Sequence, residues 1–176
     1  MLLTLLQNRR SYRKFLKKKV EPEKIDQLVE AMLRSPSGRG INPWEFVVVT
    51  DEGMLEKLSG VKEHGSAFLK NAPLGIVVCA DPAKQDIWIE DASIASIIIH
   101  LTAASLGLGG CWIQIRKRMH KGNEPSEPHI IKLLNLPADY KVLSIVAVGY
   151  PDEEKQPRPK EKLAYDKVHR EVYGGK

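Results

Sequence analysis

Short runs of β-branched and other aliphatic residues alternate along this chain with segments in which apolar residues recur at helical spacing. The apolar runs predict four strands, which lie at residues 45–50, 74–80, 111–115 and 142–148. Because the runs at 45–50 and 74–80 are almost continuously apolar, we expect these two strands to be buried on both faces.

The helical spacing predicts two longer helices. Residues 22–34 form an amphipathic pattern that begins at Pro22 and is ended by Ser35 and Pro36. Residues 87–106 are apolar nearly all round, which predicts a helix in the centre of the molecule. Shorter helical segments are predicted at residues 54–58, 66–70, 127–134 and 163–172.

The chain length and the order of these elements predict a single domain that spans residues 1–176. Its fold class is α+β, with about four strands and with helices packed on them. The segment 152–176 is polar and rich in proline at its start, so this tail cannot bury a core of its own. We therefore expect the tail to lie across another surface, such as that of a partner subunit.

The composition of the chain restricts the classes of protein to which it can belong. The most apolar stretch, residues 92–110, is interrupted by His100 and by several serines and threonines, so no membrane span is expected. The first residues place apolar positions ahead of basic ones, the reverse of a secretory signal, which indicates a cytoplasmic location. Cys79 and Cys111 lie in apolar surroundings and are expected as reduced core residues, and no spacing typical of metal ligands is present.

The formal net charge of +5 raises the possibility of nucleic-acid binding. The basic residues nevertheless fall in three separate places, at 9–19, 116–121 and 155–170, without the aromatic interleaving of an RNA-binding signature. We therefore expect no nucleic-acid partner. An anionic small ligand explains the first and last of these clusters at least as well.

The first segment with candidate chemistry contains Arg9, Arg10, Ser11 and Arg13. Guanidinium groups stay charged and present planar pairs of donors that suit phosphate oxygens, so the segment is typical of a phosphate clamp. Taken alone, it could also be a solvated basic turn.

The second such segment is the loop at 35–44, which leads directly into a strand. Its small residues let backbone amides approach a flat ring closely, and Asn42 can both donate to and accept from a ring edge. An ordinary helix-to-strand loop is the alternative.

Together these segments resemble the nitroreductase family, the FMN-dependent NAD(P)H oxidoreductases. The resemblance covers nearly the whole chain in the family's order, through motifs at 9–15, 35–44, 72–73, 91–106, 106–113, 134–151 and 160–163. It implies a nitroreductase-like fold with a mostly antiparallel central sheet and a long buried central helix. The partner's C-terminal tail could add a further strand to that sheet.

The resemblance also implies a homodimer with an FMN in each of two sites at the subunit interface. The residues that would hold its phosphate are Arg9, Arg10, Ser11, Lys160 and Lys162. Arg13 would lie near the pyrimidine end of the ring, where a cation stabilises the negative charge that gathers there on reduction.

Two further groups of residues would contact the flavin ring. Pro36, Ser37, Gly38 and Asn42 match the family segment that reaches the flavin of the other subunit. Gln114 and Ile115 match the segment that offers backbone groups near flavin N5.

The implied function is electron transfer from NADH or NADPH to a small acceptor, a nitroaromatic, a quinone or a flavin, by a ping-pong mechanism. No catalytic side chain is needed, because the cofactor carries the electron chemistry. The glycine-rich run at 107–110 follows a predicted helix rather than a strand, so the nicotinamide is expected on the flavin face and not in a Rossmann site. A flavin-binding carrier or sensor without turnover is the alternative.

The sequence does not decide the role of one segment that departs from the family pattern. The family commonly continues from this strand into an acidic helix, whereas this chain has the basic residues Arg116, Lys117, Arg118 and Lys121. They form either a solvated surface loop or an entrance rim that attracts anionic substrates. His100, within the predicted apolar helix, is expected to be a core residue whose hydrogen-bonding groups are satisfied.

Overall fold

The computed structural model describes residues 2–175. Four strands form one sheet, and they are β1 (Trp44–Val49), β2 (Leu74–Ala80), β3 (Gly109–Gln114) and β4 (Lys141–Gly149). Their order across the sheet is β1-β2-β4-β3, and every neighbouring pair runs antiparallel. The predicted α+β class and the mostly antiparallel sheet are thereby confirmed.

The burial of the strands follows their position in the sheet. The central strand β2 is buried at every residue, as its continuous apolar run predicts. The edge strand β1 is not, because Glu45 is exposed and Val48 keeps 37% of its surface exposed. The prediction that residues 45–50 are buried on both faces is therefore wrong, since the helices of this chain do not cover the whole edge strand.

Five α-helices surround the sheet, and they are α1 (Leu2–Asn8), α2 (Pro22–Leu33), α3 (Glu52–Ser59), α4 (Trp88–Ser105) and α5 (Ser126–Leu134). They confirm the helices predicted at 22–34, 54–58, 87–106 and 127–134, whereas α1 was not predicted. The segment predicted at 66–70 is a 3₁₀ turn, Ala67–Asn71. The helix predicted at 163–172 is wrong, because that exposed tail forms only a 3₁₀ turn at Tyr165–Lys167 and has no surface in this chain on which to bury an apolar face.

The helices form a layer on each face of the sheet. Helices α2 and α4 bury Leu28 and Ile99 against one face. On the other face, α3, the 3₁₀ turn and α5 bury Leu58, Leu69 and Ile130. The core therefore lies on both sides of β2 and β4. None of the helices described in residues 2–175 is long and apolar enough to cross a membrane.

Helix α4 is covered by this chain on one side only. Ala95 and Ile99 are fully buried against the sheet, whereas Ile94 and Ile97 keep 37% and 41% of their surfaces exposed. The apolar pattern all round the helix thus corresponds to one face packed in this chain and one apolar face turned outward.

The N-terminal segment runs along the β3 edge of the sheet. The Tyr12 amide donates to the Gly110 carbonyl over 3.0 Å, and Ser11 forms a parallel bridge with Gly110. A Cβ on Gly109 would lie only 2.8 Å from Tyr12 Cδ2, and a Cβ on Gly110 only 2.8 Å from His100 Cδ2. The paired glycines therefore let both the N-terminal segment and α4 approach the start of β3.

Candidate functional site

The N-terminal segment and the C-terminal tail enclose a large open cavity of about 1380 Å³. Of the predicted cofactor residues, those that line this cavity are Arg9, Arg10, Ser11, Arg13, Lys160 and Lys162. The structure thus brings together two basic clusters that lie about 150 residues apart in the sequence. We call this space the cofactor cavity.

The lining of the cofactor cavity is strongly cationic. Lys155 and Arg158 add to the predicted basic residues, and no carboxylate side chain lines the cavity. Leu3 and Leu6 of the unpredicted helix α1 supply an apolar part of the wall. An arrangement of this kind suits an anion with an apolar body, because guanidinium and ammonium groups donate charge-assisted hydrogen bonds to phosphate oxygens.

The start of the tail is held against this chain's own N-terminal segment. Lys155 Nζ donates to the Ser11 carbonyl over 2.7 Å, and Arg10 donates to the Gln156 carbonyl. Glu153 accepts from the Arg13 amide over 2.7 Å, and this hydrogen bond lowers the pKa of Glu153. Farther along, the tail is exposed, and Tyr173 keeps 92% of its surface accessible.

His100 lies behind the contact between Ser11 and Gly110. It is only 5% exposed, and no hydrogen-bond partner reaches its buried Nε2. Burial lowers the pKa of His100, and the nearby charge of Arg9 lowers it further. The ring is therefore buried in the core, as expected, but the residues that the structure describes provide no hydrogen-bond partner for its Nε2.

The loop that contains Pro36, Ser37, Gly38 and Asn42 lies elsewhere, at the start of α4. The Gly38 amide donates to Asp91 Oδ1 over 2.9 Å, and Ser37 Oγ donates to Asn42 Oδ1 over 2.7 Å. None of these loop residues lines the cofactor cavity, and both Pro36 and Asn42 are exposed. One chain therefore does not bring the two predicted parts of the site together.

The two residues predicted beside flavin N5 differ in their surroundings. Gln114 lines a second, smaller cavity, which Arg13 also borders. Ile115 is fully buried, its amide donates to the Leu143 carbonyl over 3.0 Å, and its carbonyl accepts from the Arg118 amide over 2.9 Å. Both backbone groups of Ile115 are thus already engaged within this chain.

Some residues around the candidate site were not predicted as site residues from the sequence. Asp91 is 2% exposed and holds the loop through Gly38, and a carboxylate inside an apolar helix was the available signal. Lys62 lines the second cavity, but a lone lysine in a loop gives no such signal. Within residues 2–175, no cluster of three or more His, Cys, Asp or Glu side chains could hold a metal ion.

Comparisons with known proteins agree with this geometry. The family model described as "Nitroreductase family" matches residues 6–64 and 55–150. The structure of an FMN-dependent nitroreductase from Clostridium difficile R20291 is similar, with 46% identity, coverage of 97% of this chain and 99% of the other, and a TM-score of 0.95.

Two relatives of known sequence extend the comparison. An Archaeoglobus fulgidus protein provisionally named NADH dehydrogenase/NAD(P)H nitroreductase is 34% identical, with 97% of this chain and 98% of the relative covered. An FMN reductase [NAD(P)H] from Bacillus subtilis is 26% identical, with 96% of this chain and 72% of the relative covered. The chain therefore belongs to the nitroreductase family.

Proposed function

We propose that this protein is a cytoplasmic enzyme that binds FMN non-covalently at a homodimer interface and transfers electrons from NADH or NADPH to a small oxidised acceptor. The acceptor would be a nitroaromatic, a quinone or a flavin. One observation carries the proposal: Arg9, Arg10 and Ser11 share a cavity with the basic tail, and no carboxylate side chain lines it.

The cofactor cavity fits FMN in the chemistry of its donors. Arg9, Arg10 and Ser11 would hold the phosphate from one side, and Lys160 and Lys162 would hold it from the other. Arg13 would lie toward the pyrimidine end of the ring and stabilise negative charge there. When bound, FMN supplies the redox chemistry, since it accepts a hydride from the nicotinamide and passes the electrons to the acceptor.

The homodimer is supported by exposed apolar surface in several places. Leu3 in α1 keeps 66% of its surface exposed, Ile97 in α4 keeps 41% and Val172 in the tail keeps 69%. Ile94, one helical turn before Ile97, is also exposed, and adjoining apolar side chains of this kind are typical of interaction sites. A partner that covers α4 could also present the loop with Pro36 and Asn42 to the cofactor cavity of the first subunit. The tail 152–176, whose start contacts this chain's own N-terminal segment, would pack on that partner through its exposed part.

The ping-pong mechanism is supported by the shared approach to the site. Arg13 lines both the second cavity and the cofactor cavity, and we propose that the nicotinamide and the acceptor reach the flavin in turn beside this residue. The chain's own residues then position and release each substrate. No side chain of the described chain has to act as a nucleophile for this chemistry.

The proposal is tested with the double variant Arg10→Ala/Lys162→Ala. We expect it to purify with less than about a tenth of the flavin of the wild-type protein, because charge-assisted hydrogen bonds contribute about 1.5–3 kcal/mol each when shielded from water and less when exposed. The matched control is Lys17→Ala/Lys132→Ala, which removes two exposed cations outside the cavity and should keep its flavin.

Absorption spectra of the purified variants give the flavin content. Full flavin in Arg10→Ala/Lys162→Ala would contradict the assignment of the phosphate site. Steady-state oxidation of NADH with a quinone separates the enzyme from a carrier or sensor, which would hold flavin without turnover.

A further inference from the structure

The second cavity has a volume of about 540 Å³ and lies beside the end of β3. Trp112 and Gln114 line it, and loop segments at 62–65 and 117–119 form its other walls. Arg13 lines both this cavity and the cofactor cavity. The second cavity therefore lies on the Arg13 side of the proposed FMN site.

The side chains of the second cavity carry an excess of positive charge. The cations are Arg13, Lys62, Lys117 and Arg118, and the one carboxylate of the lining is Glu63. Glu63 Oε1 lies 3.7 Å from His64 Nε2 and not beside any of the four cations. Among the ion pairs found in residues 2–175, none includes these cations.

Of the four cations, Lys62 is partly buried, whereas Arg13, Lys117 and Arg118 are exposed. The Lys62 Nζ donates to the Gln114 carbonyl over 3.1 Å. Burial lowers the pKa of Lys62, and the neighbouring Arg118 lowers it further. A partly buried ammonium group beside another cation is unfavourable in the isolated chain, and an anionic ligand would offset that cost.

Backbone hydrogen bonds hold the two loop segments in place. The Glu63 amide donates to the Met119 carbonyl over 3.1 Å, which ties one segment to the other. The Ser126 amide donates to the Arg118 carbonyl over 2.9 Å. The cations are therefore presented by a fixed backbone, so less loop ordering opposes the binding of a ligand.

The structure also divides the basic loop at 116–121 into two parts. Lys117 and Arg118 line the second cavity, whereas Arg116 and Lys121 do not. The sequence left open whether this loop is a solvated surface or an entrance rim. The lining of the cavity shows that the four basic residues of the loop are not equivalent.

We propose that the second cavity is a subsite for an anionic oxygen group, a carboxylate or a phosphate, carried by a substrate of the enzyme. The source of the anion is either a carboxylate on an aromatic acceptor or the 2′-phosphate that distinguishes NADPH from NADH. The inference rests on the proposed function, because the cavity is a substrate subsite only if FMN binds beside Arg13.

The test compares Lys117→Gln/Arg118→Gln with the control Arg116→Gln/Lys121→Gln. Both variants lose two positive charges from the same loop, but only the first loses them from the second cavity. Two substrate pairs are measured with each: 4-nitrobenzoate against 4-nitrobenzyl alcohol, and NADPH against NADH.

We expect the cavity variant to raise KM for the anionic member of one pair by about three- to tenfold at low salt, with kcat and the neutral member unchanged. At about 1 M salt, where the Debye length is about 3 Å, the difference should shrink. The pair that responds identifies the source of the anion. Equal changes within both pairs, or the same change in the control variant, would overturn the proposal.

A binding measurement separates this inference from the proposed function. Titration calorimetry of the purified protein with 4-nitrobenzoate and with adenosine 2′-monophosphate requires no turnover. We expect one of the two to bind the wild-type protein and to bind the cavity variant at least about threefold more weakly. Binding that is absent from the wild-type protein, or equal in both proteins, contradicts the subsite. Missing flavin or missing turnover in the wild-type protein instead contradicts the proposed function.

Discussion

The substitution Gly110→Ala tests how the site is assembled at the start of β3. Its added methyl group would lie 2.8 Å from Cδ2 and 3.4 Å from Nε2 of His100. His100 is 5% exposed and cannot move into solvent, so the ring, α4 or β3 must shift. The same glycine pairs with Ser11 and accepts from the Tyr12 amide, so any shift is passed to the segment that we propose binds the phosphate.

The magnitude follows from two opposing contributions. Overpacking of a close-packed core costs about 1–3 kcal/mol. Replacing glycine by alanine where the backbone conformation permits it stabilises the folded protein by about 0.4–1 kcal/mol, because alanine lowers the conformational entropy of the unfolded chain. We therefore expect Gly110→Ala to lower the free energy of unfolding by about 1–2 kcal/mol and to weaken flavin binding.

Urea denaturation followed by circular dichroism measures the stability, and flavin fluorescence measures the binding. The matched variant is His100→Ala/Gly110→Ala, in which the methyl group enters the space that the imidazole leaves. Its loss of stability should be smaller than the sum of the two single losses, by about 0.5 kcal/mol or more. Wild-type stability in Gly110→Ala, or strict additivity in the double variant, would refute the reasoning.

Two further predictions concern titratable groups in the core. Burial lowers the pKa of His100, so the unfolded chain takes up a proton at this residue before the folded chain does as the pH falls below about 6.5. The free energy of unfolding should therefore fall from about pH 7.5 to about pH 5.5, and it should fall less in His100→Gln. An equal fall in both proteins, measured by urea denaturation, would exclude this role. Burial raises the pKa of Cys79 to about 12 and also raises that of Cys111, so neither thiol should react with a disulfide reagent before unfolding. Rapid labelling of the folded protein would show that one of them is accessible.

The sequence was most informative where one local pattern determines the outcome. The strand Leu74–Ala80 has the predicted bounds, because its continuous apolar run is bounded by turn residues and is typical of a strand buried on both faces. The helix Pro22–Leu33 has its proline in the first turn and an apolar face that recurs at helical spacing. In both cases the residues that fix the element lie within it.

The sequence was least informative where distant segments meet. The exposure of Val48 depends on the position of β1 at the edge of the sheet, and the sequence of β1 does not indicate that position. The placement of Arg118 beside Lys62, and of His100 against Gly110, depends on how α4 and the loops pack. The family resemblance implied that the loop at Pro36 contacts the flavin of the other subunit, and the structure shows that this loop does not line the cavity that contains Arg10 in the same chain.

That separation allows a direct test of the central claim, an FMN site shared between two subunits. Arg10→Glu damages the cofactor cavity, and Pro36→Asp damages the exposed loop without altering the cavity of the same chain. Each variant homodimer should lack flavin. The two variants are then combined in a heterodimer that is purified through different tags. If the site is shared, one site of this heterodimer carries both changes and the other carries neither, whereas sites that lie within one chain would each carry one change. If the site is shared, we expect the heterodimer to bind about one FMN per dimer, which is half of the wild-type content. A heterodimer as empty as the two homodimers would contradict the shared site.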